Sequence, residues 1–298
     1  MNTNGNIYTV VYSAIIVVLV AAVLAFASSA LKPMQNANIK AETIGQILAA
    51  AGIQDKDTPA TNEQILDKYS ETVTEAFVVD INGNVVKSLD TKRENIELID
   101  GLKAENTNLK NKAEVNLPVY KFNNGTTVIP VYGAGLWGPV WGYVAFNEDL
   151  KTIAGAYFDH ASETPGLGAK IKDDPSFRAL FQGKVADFQA EPAFSIVKEA
   201  AADNQVDAIT GATMTSKGLS AAIGTWFKAY AAYFNQNGAA PKHECKHNCE
   251  GEGNCEHKCC KAEANCEEEH KCEGEHKCEG EHKCEGEHNC EQHKTVEE

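Results

Sequence analysis

Cysteine is missing from the first 244 residues of this 298-residue chain. No disulfide therefore supports its core, and whatever the ten cysteines do, they do between Cys245 and Cys290. Positive charge is scarce too: 27 Lys and Arg stand against 42 Asp and Glu, a formal net charge of −15. That balance argues against nucleic acid as a partner, because phosphate binding needs clustered Lys and Arg. Residues 241–298 hold 8 Lys and 17 acidic residues, so the tail carries −9 and leaves an ordinary −6 for the rest. No Walker motif occurs in the body.

Charge is absent altogether from residues 7–31, IYTVVYSAIIVVLVAAVLAFASSAL. A bilayer core needs about 20 apolar residues as helix, so this run can span one with some tilt. Tyr8 and Tyr12 suit an interfacial position. Lys32 and Pro33 are expected to end the helix, one by its charge and the other by breaking it. Ala25-Phe26-Ala27 resembles a signal-peptide cleavage site, yet the leading MNTNGN carries no Lys or Arg and the apolar run is long for such a signal. Residues 1–32 read as a retained single-pass anchor. Lys32 and Lys40 follow it, which by the positive-inside rule alone places the body in the cytoplasm.

Residues 33–115 read as a membrane-proximal part of helix and hairpin. Ile44, Ile47, Leu48 and Ala51 share one helical face, with Gly52 as the cap. Thr61-Asn62-Glu63-Gln64 opens a second helix holding Ile65, Leu66 and Tyr69. Asn82-Gly83 joins two β-branched runs as a hairpin. Residues 90–115 are polar and are expected to connect, with some helix. Residues 116–238 turn to strands at 117–122, 126–132 and 140–146, then to helices over 175–181 and 217–233. Leu219, Ile223, Trp226, Phe227, Tyr230 and Phe234 recur at helical spacing, a core stripe. Strands and helices do not alternate as βαβ units, so the expected fold class is α+β. The ordered part is expected to end near Gly238.

The remainder, 239–298, is a low-complexity Cys/His/Glu tail. A six-residue unit recurs in it, placing Cys266, Cys272, Cys278, Cys284 and Cys290 in one period with His270, His276, His282 and His288. It holds no large apolar residue and is expected to be disordered without a ligand. Thiolate and imidazole suit Zn²⁺ or another transition metal, so these nine residues are the candidate metal ligands. The plainer alternative is an acidic, solubilising tail.

Gly133-Ala134-Gly135-Leu136-Trp137-Gly138 matches GxGxxG, but Pro139 and strand-forming residues follow where a dinucleotide site needs a helix. This chain alone is not expected to bind NADH. The more informative run is Asp207-Ala208-Ile209-Thr210-Gly211-Ala212-Thr213-Met214-Thr215-Ser216, just before the last helix. Four hydroxyls, two residues without bulk and a helix start suit a phosphate. The same residues could equally form a hydroxyl-rich N-cap.

Asp207-x-x-Thr210-Gly211-Ala212-Thr213 resembles the flavin-attachment motif of the FMN-binding domain family. Glu163-Thr164-Pro165-Gly166-Leu167-Gly168 resembles the segment that lies against the flavin there, and Leu136-Trp137-Gly138-Pro139 resembles the start of a strand in the same family. Pro165-Gly166 could otherwise be only a turn, and Trp137 and Trp141 only core. The resemblance implies covalent FMN on the Thr213 hydroxyl, placed by a flavin transferase from FAD. It implies Thr210 and Thr215 near the phosphate, Thr164, Leu167 and Gly168 beside the ring, and Gly211, Ala212, Glu163, Gly166 and Trp137 as further cofactor-binding residues. With the anchor, residues 1–238 are similar to the C subunits of Na⁺-translocating NADH:quinone reductases. That implies an electron-relaying member of a multi-subunit respiratory complex in the bacterial inner membrane. It also implies a soluble part on the periplasmic side, against the charge rule. There, ten thiols would tend to oxidise unless metal protects them. The G subunit of the homologous ferredoxin:NAD⁺ reductase carries the same motif; the long stretch 33–133 favours the quinone-reductase family. A different class, a membrane-tethered metal-binding protein acting through its tail, also fits. If the tail binds metal, zinc uptake should survive Thr213→Val and vanish on truncation at Pro241; zinc retained by the truncated chain would place the metal elsewhere.

Overall fold

The structure, a computed structural model, describes residues 6–55, 58–99 and 101–238. The tail and the metal ligands expected in it lie outside the described residues.

Its first element corrects the expected break at Pro33. A single helix, α1 (Asn6–Ala50), runs through that proline. A proline inside a helix removes one hydrogen bond, but neighbours with good helix propensity and a packed face further on can hold the helix together. That face is supplied by Ala41, Ile44, Ile47 and Leu48, all buried. Among the described residues α1 is the one helix long and apolar enough to cross a membrane, by length and composition. At about 1.5 Å per residue, residues 32–50 carry it some 28 Å past the apolar run. The helix ends as Gly52 leads one to expect. The Ile53 N–H reaches the Leu48 carbonyl and the Gly52 N–H the Ala49 carbonyl, the paired bonds of a Schellman cap.

Next comes α2 (Asn62–Thr72), closed by a capping box in which Thr61 and Gln64 exchange side-chain and backbone bonds. The chain then forms β1 (Val73–Val79), β2 (Val85–Ser88), α3 (Leu102–Asn111), β3 (Leu117–Phe122), β4 (Thr127–Ala134), β5 (Pro139–Phe146) and β6 (Ile153–His160). After these follow α4 (Lys170–Asp173), α5 (Pro175–Ala179), β7 (Ser195–Val197), β8 (Gln205–Asp207) and α6 (Thr213–Asn237). Strands β1 to β6 form one antiparallel sheet in the order β2-β1-β3-β4-β5-β6, while β7 and β8 pair in parallel. The fold is α+β. Because β1 pairs with β3, the sheet runs across residue 116, where the sequence suggests a division.

Alternation along the strands builds two cores. Ala76 and Val78 join α1 and α2 on one face, with Ile44, Leu48 and Tyr69. Phe77 and Val79 join α6 on the other, with Trp226, Phe227 and Tyr230. Both faces are covered, which is why β3 to β5 read as nearly continuous apolar runs. Aromatic rings fill the α6 side: Phe146 lies 4.8 Å from Phe234 and Phe188 4.3 Å from it, centroid to centroid. Small residues let α6 settle directly on β4. A Cβ at Gly133 would strike Ala222, and one at Gly218 the Ala134 carbonyl. The start of α6 is thereby held over the β4–β5 turn. That turn contains the GxGxxG letters, closed by Gly135 N–H to Gly138 O at 2.7 Å, and no helix opens there.

Tyr230 crosses this core. Its hydroxyl donates to the Pro118 carbonyl at 2.6 Å, and complete burial holds its pKa well above the ordinary value. Tyr230→Phe leaves that carbonyl unpaired and is expected to cost about 1–3 kcal/mol. Denaturant unfolding of the detergent-solubilised chain measures this; unchanged stability would show that the bond contributes nothing.

Candidate functional site

Helix α6 begins at Thr213, earlier than the expected Lys217. The chain reaches it through Gly211, whose φ of 80° lies in the left-handed region open to glycine, and through Ala212, whose N–H bonds to the Ile209 carbonyl. Ala212 occupies the N-cap and offers no side-chain cap. The hydroxyls of this run are therefore not used as an N-cap. Ser216 turns inward and accepts from the Ile209 N–H at 3.1 Å. Thr215, 1% exposed, donates to Glu163 Oε2 at 2.6 Å. Its hydroxyl, expected at a phosphate, is thus engaged inside the protein. Thr210 and Thr213 are exposed. The first-turn N–H groups of Thr213, Met214 and Thr215 have no acceptor within the helix. This helix is 25 residues long with no acid in its first turn, so its start presents positive potential to solvent.

Glu163 organises the surroundings. It is 5% exposed. One carboxylate oxygen receives the Thr215 hydroxyl; the other receives the Trp137 backbone N–H at 2.9 Å. Gly168 passes so close that a Cβ there would strike both the carboxylate and the Thr215 hydroxyl. The segments around 137, 163–168 and 210–215, far apart in sequence, thus meet at one carboxylate.

Between them, residues 164–168 form a tight turn, with the Leu167 and Ala169 N–H groups both donating to the Thr164 carbonyl at 3.1 Å. Thr164 and Gly166 are exposed on it. Leu167 is 44% exposed and lies against Gly211, where its Cδ2 would sit 3.2 Å from an added Cβ. Trp137 has a fixed backbone, its carbonyl accepting from Ser162 Oγ at 2.9 Å, but a side chain 67% exposed. It is not a core residue. Together with Leu136 and Met214, also exposed, it puts apolar surface on the segments that converge near Thr213. Trp141 is only partly buried, and its indole N–H reaches Gln46 on α1.

Further residues escape sequence reasoning. The Glu163 N–H donates to His160 Nδ1 at 3.1 Å, so the last residue of β6 anchors the start of the turn. His160 is the only histidine before the tail, a signal present in the sequence. The adjoining Asp159, 4% exposed, binds Lys172 of α4 at 2.9 Å. A cavity of about 570 Å³ lies elsewhere, beside Phe77, Lys121 and Tyr233, and no residue of the three segments lines it. Around Thr213 the side chains of Thr210, Met214, Trp137 and Leu167 are exposed.

Replacing Glu163 tests how much the convergence depends on it. Glu163→Leu strands the Trp137 N–H and the Thr215 hydroxyl and is expected to cost about 1–3 kcal/mol. Glu163→Gln keeps an acceptor oxygen and is expected to fall between it and the native chain. Thermal unfolding ranks the three; a leucine variant as stable as the native chain would contradict the assignment.

Known proteins resemble this chain over the same region. A family model described as FMN-binding domain matches residues 135–228, which contain all three converging segments. The Na(+)-translocating NADH-quinone reductase C subunit from Neisseria meningitidis serogroup B is 30% identical over 227 residues, covering 72% of this chain and 87% of that protein. The corresponding Pseudomonas aeruginosa protein is 32% identical over 234 residues, with 72% and 88% covered. The crystal structure of the corresponding Parabacteroides distasonis protein shares the fold with a TM-score of 0.56 and 31% identity, over 70% of this chain and 98% of that one. With this identity over most of the relatives' length, the chain belongs to the family of Na(+)-translocating NADH-quinone reductase C subunits.

Proposed function

We propose that Thr213 carries FMN through a phosphoester bond, and that the chain relays electrons from NADH towards quinone within a membrane complex that exports Na⁺. The observation that supports this most directly is the exposed Thr213 hydroxyl on the first turn of α6, beside free N–H groups and exposed apolar side chains. A flavin phosphate fits that setting. The helix start favours its charge. Gly211 and Ala212 let the backbone approach it, and Thr210 supplies an exposed hydroxyl. Thr215 contributes through Glu163, by holding the first turn in place. Leu167 and Trp137 offer apolar faces to a ring, with Thr164, Gly166 and Gly168 shaping the turn between them.

When bound, the isoalloxazine supplies the redox chemistry, and the protein places and tunes it. The exposure of Thr213 is consistent with a tether. A covalent link gives a group a high effective concentration near its site, so weak contacts can hold it. Maturation by a flavin transferase requires the same exposure: the Thr213 oxygen takes the FMN phosphoryl group from FAD, and AMP leaves with the proton. An exposed hydroxyl at a helix start can be reached by such an enzyme.

In this reading residues 116–238 carry the flavin and α1 anchors the chain in the bacterial inner membrane beside the other subunits of the complex. The body faces the periplasm, where the transferase works. NADH is oxidised by another subunit. The tail plays no part in this chemistry; metal binding by its Cys and His residues would be a separate property.

With the transferase co-expressed, the native chain should show flavin fluorescence in a denaturing gel. Thr213→Val is expected to abolish it and truncation at Pro241 to leave it unchanged. Fluorescence retained by Thr213→Val would put the flavin on another residue or show that it is not covalent.

A further inference from the structure

A polar chain crosses from α1 to the turn 164–168. Gln46 lies in the packed part of α1, 3% exposed, among Ile44, Ile47 and Leu48. Its Nε2 donates to Asp159 Oδ2 at 2.9 Å, and its Oε1 accepts from Trp141 Nε1 at 3.2 Å. Trp141 and Asp159 are cross-strand partners on β5 and β6, so Gln46 bridges both strands. Asp159 then holds the turn from both ends. Upstream, it accepts the His160 N–H at 2.7 Å, and His160 accepts from Glu163. Downstream, it pairs with Lys172 at 2.9 Å, just after the turn 164–168.

An apolar interface alone would seat α1 on the sheet. A buried carboxylate there adds little net stability, since its desolvation offsets much of what its partners return. What such a group does supply is register, because the Gln46 amide, which also lies 3.4 Å from Glu42 on its own helix, reaches Asp159 only when α1 is turned to face the sheet there. We propose that Gln46, Trp141 and Asp159 are positioning residues that transmit the seating of α1 to the turn 164–168. Movement of the membrane helix among its neighbouring subunits thereby adjusts the environment of the ring. This rests on the flavin reading above. The path uses hydrogen bonds between consecutive residues, Asp159 and His160, whose side chains leave β6 on opposite faces.

The test uses the assembled, flavin-loaded complex in its membrane. Gln46→Leu and Trp141→Phe replace neutral groups with neutral groups, so neither changes the charge near the ring. Both are expected to keep native covalent fluorescence and to shift the midpoint potential of this flavin in the same direction. Asn38→Ala, on the same helix but bonded to Asn62 instead, is expected to leave the potential at its native value. Trp141→Phe deletes one donor from a partly buried side chain and keeps the test available if Gln46→Leu fails to fold. Native potentials in both variants, or an equal shift in Asn38→Ala, would overturn the linkage. Absence of covalent flavin from the native chain would instead sink the reading on which it stands, and the linkage with it.

Discussion

A single buried carboxylate keeps the three loops of the site together. Glu163 receives the Trp137 N–H from the β4–β5 turn and the Thr215 hydroxyl from the first turn of α6, and itself begins the turn 164–168. A carboxylate removed from water is costly unless hydrogen bonds replace its hydration. Here the replacement donors come from elements distant in sequence. Each bond that satisfies the charge therefore also fixes the position of one loop. The absence of a Cβ at Gly168 lets the turn approach closely enough for this to happen.

Around that carboxylate the structure separates rigidity from access. The sheet carries a core on each face, and small residues at Gly133 and Gly218 seat α6 against β4. The start of α6 is consequently well supported, while Thr213, Trp137 and Leu167 remain at the surface. A cofactor held only by contacts would need a deep, enclosing pocket. A tethered one needs a fixed attachment point and a modest apolar platform, and the tether proposed at Thr213 makes that smaller demand. The helix α1 adds the other constraint, since the face that packs on the sheet continues the helix that carries the apolar run.

Much of this was legible in the sequence because local rules and tertiary packing agree. The capping box at Thr61, the turn at Asn82-Gly83, the strands β3 to β5 and the α6 stripe all follow their patterns. The α+β class follows from their order. Pro33 misleads because a proline rule is local, whereas the buried face of Ala41 to Leu48 holds the helix from a distance. Strand β6 is hidden by Ala154, Gly155 and Ala156, small residues that blur the alternation. The start of α6 shifts because Gly211 turns the chain and Thr213 can follow as helix without a side-chain cap. The motif residues 163–168 and 210–215 were legible by resemblance, but their meeting at Glu163 was not. Nor was the role of Gln46, since hydrogen bonds spanning 113 residues leave no local trace.

A flavin phosphate on the exposed hydroxyl at the head of α6 would leave a direct chemical trace. Mass spectrometry of the peptide spanning residues 207–217, taken from the chain purified out of its native membrane, addresses it directly. The peptide is expected to carry a mass increment of one FMN less water, localised to Thr213. An unmodified peptide would contradict it.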